Sequence, residues 1–472
     1  MAAALVIGAL STITMADSDL WGHLRFGLDT LHSWRLPFED PYSFTQDRPW
    51  INHEWMSELA MGVAWTAGGS AGLALLKGAL TAGTLWFLWR ALRGTRLAPR
   101  MLIFAVAGAS LAPLTRTMRP QLWTCLFLAC TCTVLAERRD RLYPWLPLLF
   151  ASWANLHGGW IVGIGVLGVW GIVDSLQQPS GTIRWGLLIA ACALATLANP
   201  YGWGLWQFLA TTVRMGREIT EWQPTFSLSP VNWVPWIAAV GFSIWIARRP
   251  FPNRLHVAAV LVMLGYASAR VARLGPLFVE VVVVLAADAI RRQWLQPVGE
   301  LPIAASPYNR PVVLVLCLAS LITAVVVGRS SLGCIRVDQA TAPDRAAVDL
   351  IARMPGGRLV TFFDWGEYAL WHLGPRVKVS MDGRRETIYT DTRLREHAAV
   401  LHGTPAGLAV LEAWQAEYVW LPVTSAATRG WLMGHGYRLD LSTSRSFVAT
   451  RADLPLPVTA SVESLPSRCF PN

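Results

Sequence analysis

Lysine is almost missing from this chain. Lys77 and Lys378 are the only lysines among 40 basic residues, so the net charge of +10 is carried by arginine. No basic run reads as a nucleic-acid tract. Charged residues of both signs are scarce, at 15% against roughly 25% in an ordinary soluble domain. That shortage, with 53% hydrophobic residues, excludes a wholly soluble globule. No Walker A loop and no paired-cysteine zinc spacing occur. His53-Glu54 begins like a zincin helix, but Ser57 stands where the second histidine is required. Gly163-Ile164-Gly165-Val166-Leu167-Gly168 fits a dinucleotide fingerprint in letters only. It lies inside an apolar run with no strand before it, so it reads as close helix packing through small residues. The run Ala2 to Thr14 has no basic stretch ahead of it and reads as a retained first span, not a cleaved signal.

What the chain does have is apolar runs of about 15–22 residues, the length that crosses or nearly crosses a bilayer. Spans are expected near 1–15, 71–92, 100–114, 120–136, 143–156, 159–175, 184–199, 231–248, 254–269, 274–290 and 311–328. The expected fold is a mainly α polytopic membrane protein of about eleven transmembrane helices. It occupies residues 1–330, with a long first extracytoplasmic loop at 16–70. The composition changes after Gly328, and residues 335–472 read as a soluble α/β domain. Helices are expected there at 344–354 and 406–416. Strands are expected at Arg358–Phe363, Val377–Met381, Tyr418–Leu421 and Phe447–Thr450.

Arginine-dense loops fix the orientation. Short segments carrying Arg90 to Arg100, Arg138 to Arg141, Arg184, Arg248 to Arg254, and Arg291 to Arg310 fall on one side, read as cytoplasmic together with the N-terminus. Almost every polar motif then falls outside, as does the C-terminal domain. A transporter places binding groups near the midplane and gates on both sides. The one-sided distribution points instead to a membrane-embedded enzyme with an extracytoplasmic site. Cys334 and Cys469 bracket the outer domain and pair if it is extracytoplasmic. Cys125, Cys130, Cys132, Cys192 and Cys317 read as small core residues.

The motif that stands out is Asp17-Ser18-Asp19-Leu20-Trp21-Gly22-His23-Leu24-Arg25, directly after the first apolar run. Ionisable groups beside a span are costly and mark function; the bland reading is that the two aspartates end a helix at the water interface. Leu20, Leu24, Leu28 and Leu31 space an amphipathic helix lying in the interface, with His23, Asp29 and Ser33 on its polar face. A second interfacial helix is expected over Glu54 to Trp65. Arg116, Arg119, Arg270 and Arg273 lie on the outer side, where the charge bias disfavours them. Arg270 and Arg273 would share a helix face. The four are candidates to hold a lipid phosphate through bidentate guanidinium contacts, or else cap helix C-termini. Lys77 reads as snorkelling from within its span.

These motifs, with Asp40-Pro41-Tyr42-Ser43, Pro49 to Trp55, Asn155-Leu156-His157-Gly158-Gly159, Asn199-Pro200-Tyr201-Gly202, Glu221-Trp222-Gln223-Pro224, Asp364 to Tyr368 and Met381-Asp382-Gly383-Arg384, resemble a large family of bacterial multi-pass membrane proteins. That family is similar to the GT-C glycosyltransferases, which include oligosaccharyltransferases, protein O-mannosyltransferases and the lipid A aminoarabinose transferase. The resemblance covers nearly the whole chain. It implies a donor sugar on a polyprenyl phosphate and an extracytoplasmic acceptor (a glycan, lipid or protein). It further implies transfer with inversion, in the cytoplasmic membrane of a bacterium, with membrane lipids as surroundings and no nucleic acid. An acid in the first outer loop acts as base; here that is Asp19 or Asp17, with Asp19 nearer the Trp-x-His element. Asp40 or Glu54 is the expected second carboxylate, steering acceptor or a divalent metal, though no cofactor is demanded. His23, His53, His157, Asn155, Tyr201 and Glu221 are the expected supporting residues. In that superfamily Glu often follows the catalytic Asp directly; here Ser18 or Leu20 follows. Two other classes stay open. One is a non-catalytic lipid-binding or transport component of envelope polysaccharide assembly. The other is a scaffold working through its tail.

Overall fold

The computed structural model describes residues 11–212, 220–294, 310–338, 342–456 and 469–471. Most of the expected first span, 1–15, therefore lies outside the described residues. The chain separates into two compact units. One holds Ala71–Gly333 with the described end of the first run. The other joins Met15–Ser70 to Cys334–Asn472. The first loop thus packs with the C-terminal residues, and the boundary expected from sequence, which left it with the helical part, is redrawn.

The first unit is helical. Among the described residues, three helices, counting the one that enters this unit from Trp55, are long and apolar enough to cross a membrane: Trp55–Ala91, Leu97–Thr115 and Trp160–Gln177. Shorter apolar helices include Gln121–Ala136, Leu146–Leu156, Thr182–Ala195, Pro230–Ala247 and Arg254–Arg270. The helix Trp55–Ala91 is broken at Gly68–Gly69, where Gly69 has φ +54°, a region that only glycine enters at no steric cost. The non-helical backbone at Gly68 and Gly69 separates two helices, at the place where the expected helix Glu54 to Trp65 gives way to the expected span 71–92. Trp153, Trp160 and Trp170 are fully buried between helices, while Ile183, Leu187, Leu194 and Val262 lie on the exposed surface. An apolar exterior around a packed interior suits lipid surroundings. The glycine-rich run behaves as expected at Gly163, where an added Cβ would lie 2.5 Å from Trp153; Gly168 has nothing nearby. Lys77 corrects its reading. It is 1% exposed and donates to the carbonyls of Ile13 at 2.5 Å and Thr115 at 2.8 Å, so it ties helix ends together and does not snorkel.

The second unit is built on a five-stranded sheet. Its strands are β3 (Gly357–Thr361), β4 (Val377–Val379), β5 (Tyr418–Pro422), β6 (Tyr437–Ser442) and β7 (Ser446–Arg451), in the order β4-β3-β5-β7-β6. β3 pairs in parallel with both β4 and β5; β7 runs antiparallel to β5 and β6. Val360, Val419, Leu421, Phe447 and Ala449 form its core with Leu411 and Leu432 from the covering helices. The N-terminal loop is woven in. β1 (Met15–Ala16) pairs with β2 (Arg336–Val337), and Ser43 bridges to Val379 at the edge of β4. The helix Leu20–Ser33 buries Leu20, Trp21, Leu24 and Phe26 and packs on the helix Gly366–Leu373. Of its leucine stripe, Leu20 and Leu24 are covered by protein, while Leu28 and Leu31 are half-buried.

Cys334 and Cys469 form a disulfide. Beside it Phe470 donates its N–H to Ile335 and packs its ring near Trp21, Trp65 and Trp371. Trp21 donates its indole N–H to the Pro471 carbonyl at 2.8 Å. Because the bond closes a loop of 135 residues, replacing both cysteines by serine should lower the stability of this unit by roughly 2–4 kcal/mol. Thermal melting of the two proteins under non-reducing conditions checks this.

Candidate active site

Three motifs far apart in sequence meet inside the second unit. Asp19 stands at the start of the helix Leu20–Ser33, where the orphan N–H groups and the helix dipole favour an acid. Ser18 donates its hydroxyl to Asp19 Oδ1 at 3.2 Å. One orphan donor of that first turn, the Gly22 N–H, is satisfied from a distant part of the chain, by Glu367 Oε2 at 3.2 Å. Glu367 comes from the helix Gly366–Leu373 and is buried.

Two glycines make room for this carboxyl. A Cβ on Gly22 would lie 2.2 Å from Glu367 Oε2. A Cβ on Gly383 would lie 2.6 Å from Glu367 Oε1 and 3.1 Å from Asp19 Oδ1. The carboxyl groups of Asp19 and Glu367 therefore border one small slot. Burial, then the Asp19 charge, pushes the Glu367 acid well above the usual carboxylate range, with His23 opposing. Asp364, in the turn before the same helix, is also raised by burial and Asp19, with Arg385 opposing. Arg385 sits at φ +37°, a strained conformation for a non-glycine residue.

His23 lies one turn on from Asp19. Its Nδ1 is 3.0 Å from Glu58 Oε1 and its Nε2 is 4.0 Å from Glu54 Oε2. Burial works against the charged ring. The Glu58 hydrogen bond and the charges of Glu54, Glu58 and Glu367 outweigh it and raise the pKa to about 10. Asn52 donates to Glu58 Oε2 at 2.6 Å, and His53 is 3.6 Å from Glu54. The half-buried His23 ring thus lies against two glutamates, Glu54 and Glu58, and its charged form is favoured by them and by Glu367.

Asp40 does not take part. Both of its oxygens are engaged by Arg384, at 2.5 and 3.1 Å, and by the backbone N–H groups of Tyr42 and Ser43. Arg384 also binds Asp382 and lies over the rings of Phe26, Trp50 and Tyr42. This expected metal or acceptor ligand is instead one arm of a buried ion triad that fastens the N-terminal loop to residues 382–384. Asp364 does not cap the helix Gly366–Leu373, because Trp365 holds the cap position. Among the described residues no three His, Cys, Asp or Glu side chains are grouped to hold a metal ion.

The remaining expected residues lie in the helical unit. Arg119 and Arg273 converge on Glu221, at 3.5 and 3.7 Å. Arg116 and Arg270 stand at helix C-termini. The helix ends at Arg270, so Arg270 and Arg273 do not share a helix face as expected. Asn155 bridges the carbonyls of Ala151 and Ala198, and the His157 ring contacts Thr124 Oγ1 at 2.7 Å; both fix a break between helices. The Tyr201 N–H is held by Asn199. Glu58 and Glu367 were missed by the sequence reading. Glu58 falls four residues after Glu54, hence on the same helix face; nothing local marks Glu367.

Adding a methyl group to the slot should be felt. Gly383→Ala should cost about 1–3 kcal/mol by overpacking, while Gly430→Ala, with nothing within 4 Å, should cost nothing. His23 adds a pH signature. Its folded pKa lies above its ordinary value, so its stabilisation is fully present below about 6.5 and is lost as pH rises through about 10. Melting curves against pH should show that alkaline loss, and His23→Gln should flatten it.

No known protein-family profile matches this chain. No characterised protein matches it by sequence either. Solved structures do. The oligosaccharyltransferase of Archaeoglobus fulgidus, in its apo form, aligns with a TM-score of 0.56 at 11% identity, over 97% of this chain and 75% of its own. The same protein tethered to an acceptor peptide containing the NVT sequon gives 0.54 at 12% identity, over 96% and 74%. ArnT from Cupriavidus metallidurans, in the apo state, aligns at 0.50 and 15% identity over 97% of this chain and 98% of its own. The chain therefore shares its fold with these oligosaccharyltransferase and ArnT structures.

Proposed function

We propose that this protein is a membrane glycosyltransferase that moves a sugar from a polyprenyl-phosphate donor to an extracytoplasmic acceptor with inversion. The observation that carries the reading is the slot where Asp19 and Glu367 meet beside His23. In the reaction, an acceptor O–H or N–H group attacks the anomeric carbon from the face opposite the phosphate. Asp19 takes the acceptor proton as the new bond forms. The bond from the anomeric carbon to the phosphate oxygen breaks, and the lipid phosphate leaves with the electron pair. Burial and the Asp19 charge favour the protonated form of Glu367, which would orient the acceptor or the Asp19 carboxylate by donating a hydrogen bond. His23, held cationic, keeps negative charge in the slot tolerable. Within the helical unit, Arg119 and Arg273 share Glu221, and with Arg116 and Arg270 they are the candidates to hold a lipid phosphate.

The disulfide supports an oxidising compartment for the second unit. The arginine bias of the loops supports the same orientation, with the N-terminus cytoplasmic and about eleven crossings of a bacterial cytoplasmic membrane. The archaeal relative's acceptor is a peptide. For this chain the acceptor class is open among glycan, lipid and protein.

The test uses the full-length protein in proteoliposomes with radiolabelled polyprenyl-phosphate sugars and envelope extract as acceptor. Asp19→Asn should lower transfer by about 10²–10⁴-fold, the scale of a lost general base, and Asp17→Asn should leave it near wild type. Unchanged transfer in Asp19→Asn would sink the reading and favour the non-catalytic lipid-binding alternative.

A further inference from the structure

The helical unit has a second built site that the transfer reaction does not use. A cavity of about 300 Å³ opens at the C-terminal end of the helix Trp160–Gln177, between it, the start of the helix Thr182–Ala195 and the turn at Asp140–Trp145. That volume is at the small end for ligand pockets. It takes a headgroup-sized molecule and has no room for an oligosaccharide.

Charge is layered by depth. The floor is a carboxylate, Asp174, whose side chain is 12% exposed. Asp174 Oδ2 accepts the Trp185 indole N–H at 2.7 Å, and Oδ1 faces His256 Nε2 at 3.1 Å and Arg138 at 3.4 Å. Trp170, Trp185 and Tyr143 wall it and are buried. The mouth carries Arg138, 46% exposed, and Arg184, 57% exposed. Arg138 is anchored by Asn253 at 2.8 Å and held at φ +44°, a strained position for a non-glycine residue. Arg184 pairs with Asp140 and lies over the Tyr143 ring. Gly181 leaves the space above Asp174 open, since a Cβ there would lie 3.7 Å from Oδ2.

A polyanion does not suit this arrangement, because the two arginines at the cavity are balanced by Asp140 and Asp174. A zwitterion with its cation at the far end does. We propose that the cavity binds the headgroup of a phosphatidylethanolamine, with its terminal ammonium against Asp174 between the aromatic walls and its phosphate at the mouth between Arg138 and Arg184. A lipid enters headgroup-first in that order: the phosphate stays near the surface, and the ammonium reaches deepest. An ammonium held by a carboxylate and aromatic faces gains both hydrogen bonds and cation–π attraction. A trimethylated choline gives up the hydrogen bonds.

The test is native mass spectrometry of the full-length protein in detergent, exposed separately to phosphatidylethanolamine, phosphatidylglycerol and phosphatidylcholine, with free phosphoethanolamine as competitor. Phosphatidylethanolamine should be retained about tenfold better than the other two, the size of one hydrogen bond to a charged group. Gly181→Leu fills the cavity and should abolish that preference, with an unchanged melting temperature reporting an intact fold; Gly181→Ala should keep it. Asp174→Asn should lower retention by a similar factor. Equal retention of phosphatidylglycerol, or an unaltered preference in Gly181→Leu, overturns the proposal. Competition by free phosphoethanolamine at the lipid's own concentration would overturn the lipid as ligand. Transfer activity enters none of these readouts.

Discussion

A buried carboxyl against the first turn of a helix is the constraint on which the rest depends. Glu367 satisfies the Gly22 N–H and in doing so brings an acid next to Asp19. An acid in that position is expensive to ionise, because burial and a neighbouring like charge both disfavour its charged form. The solution adopted here is twofold. Burial and the Asp19 charge favour the protonated Glu367 acid, and the neighbouring glutamates favour the charged His23 ring. The glycines at 22 and 383 follow directly, since any side chain would occupy the slot.

That contact requires the first loop and the C-terminal residues to fold as one body. Separate devices secure it. The Asp40–Arg384–Asp382 triad crosses between the two segments inside a box of three aromatic rings. Removing one member of such a triad leaves an unpaired buried charge, which is costly. The disulfide and the aromatic packing of Phe470 hold the end of the chain beside Trp21. Short strand pairings at Met15 and Ser43 complete the join.

Much of this was legible from sequence, and the part that was not has a physical reason. The helix Leu20–Ser33 showed in its leucine spacing, but the spacing is the same whether the stripe meets lipid or protein. Strands β3, β5 and β7 are buried apolar runs and were read within a few residues; β6, whose Tyr437, Leu439 and Leu441 alternate with Arg438, Asp440 and Ser442, carries the period-two signal of a strand and was missed. The helix Asp391–His402 is too polar to register by hydrophobic period and is signalled only by Thr390, which caps it. Asp19 and His23 stand out in the sequence because they cluster locally. Glu367 does not, since its partners are Gly22, Asp19 and Gly383, and only the tertiary fold joins them. Asp40 misled for the opposite reason: an acid in a distinctive motif was bound by an arginine more than three hundred residues away.

The central claim is that Glu367 holds a proton beside Asp19 in the folded protein. Infrared difference spectroscopy of the full-length protein against Glu367→Gln at neutral pH addresses it directly. The account predicts a carboxylic-acid carbonyl band in the wild type that is absent from Glu367→Gln and shifted in Asp19→Asn. A wild-type spectrum in which Glu367 contributes only carboxylate bands would contradict it.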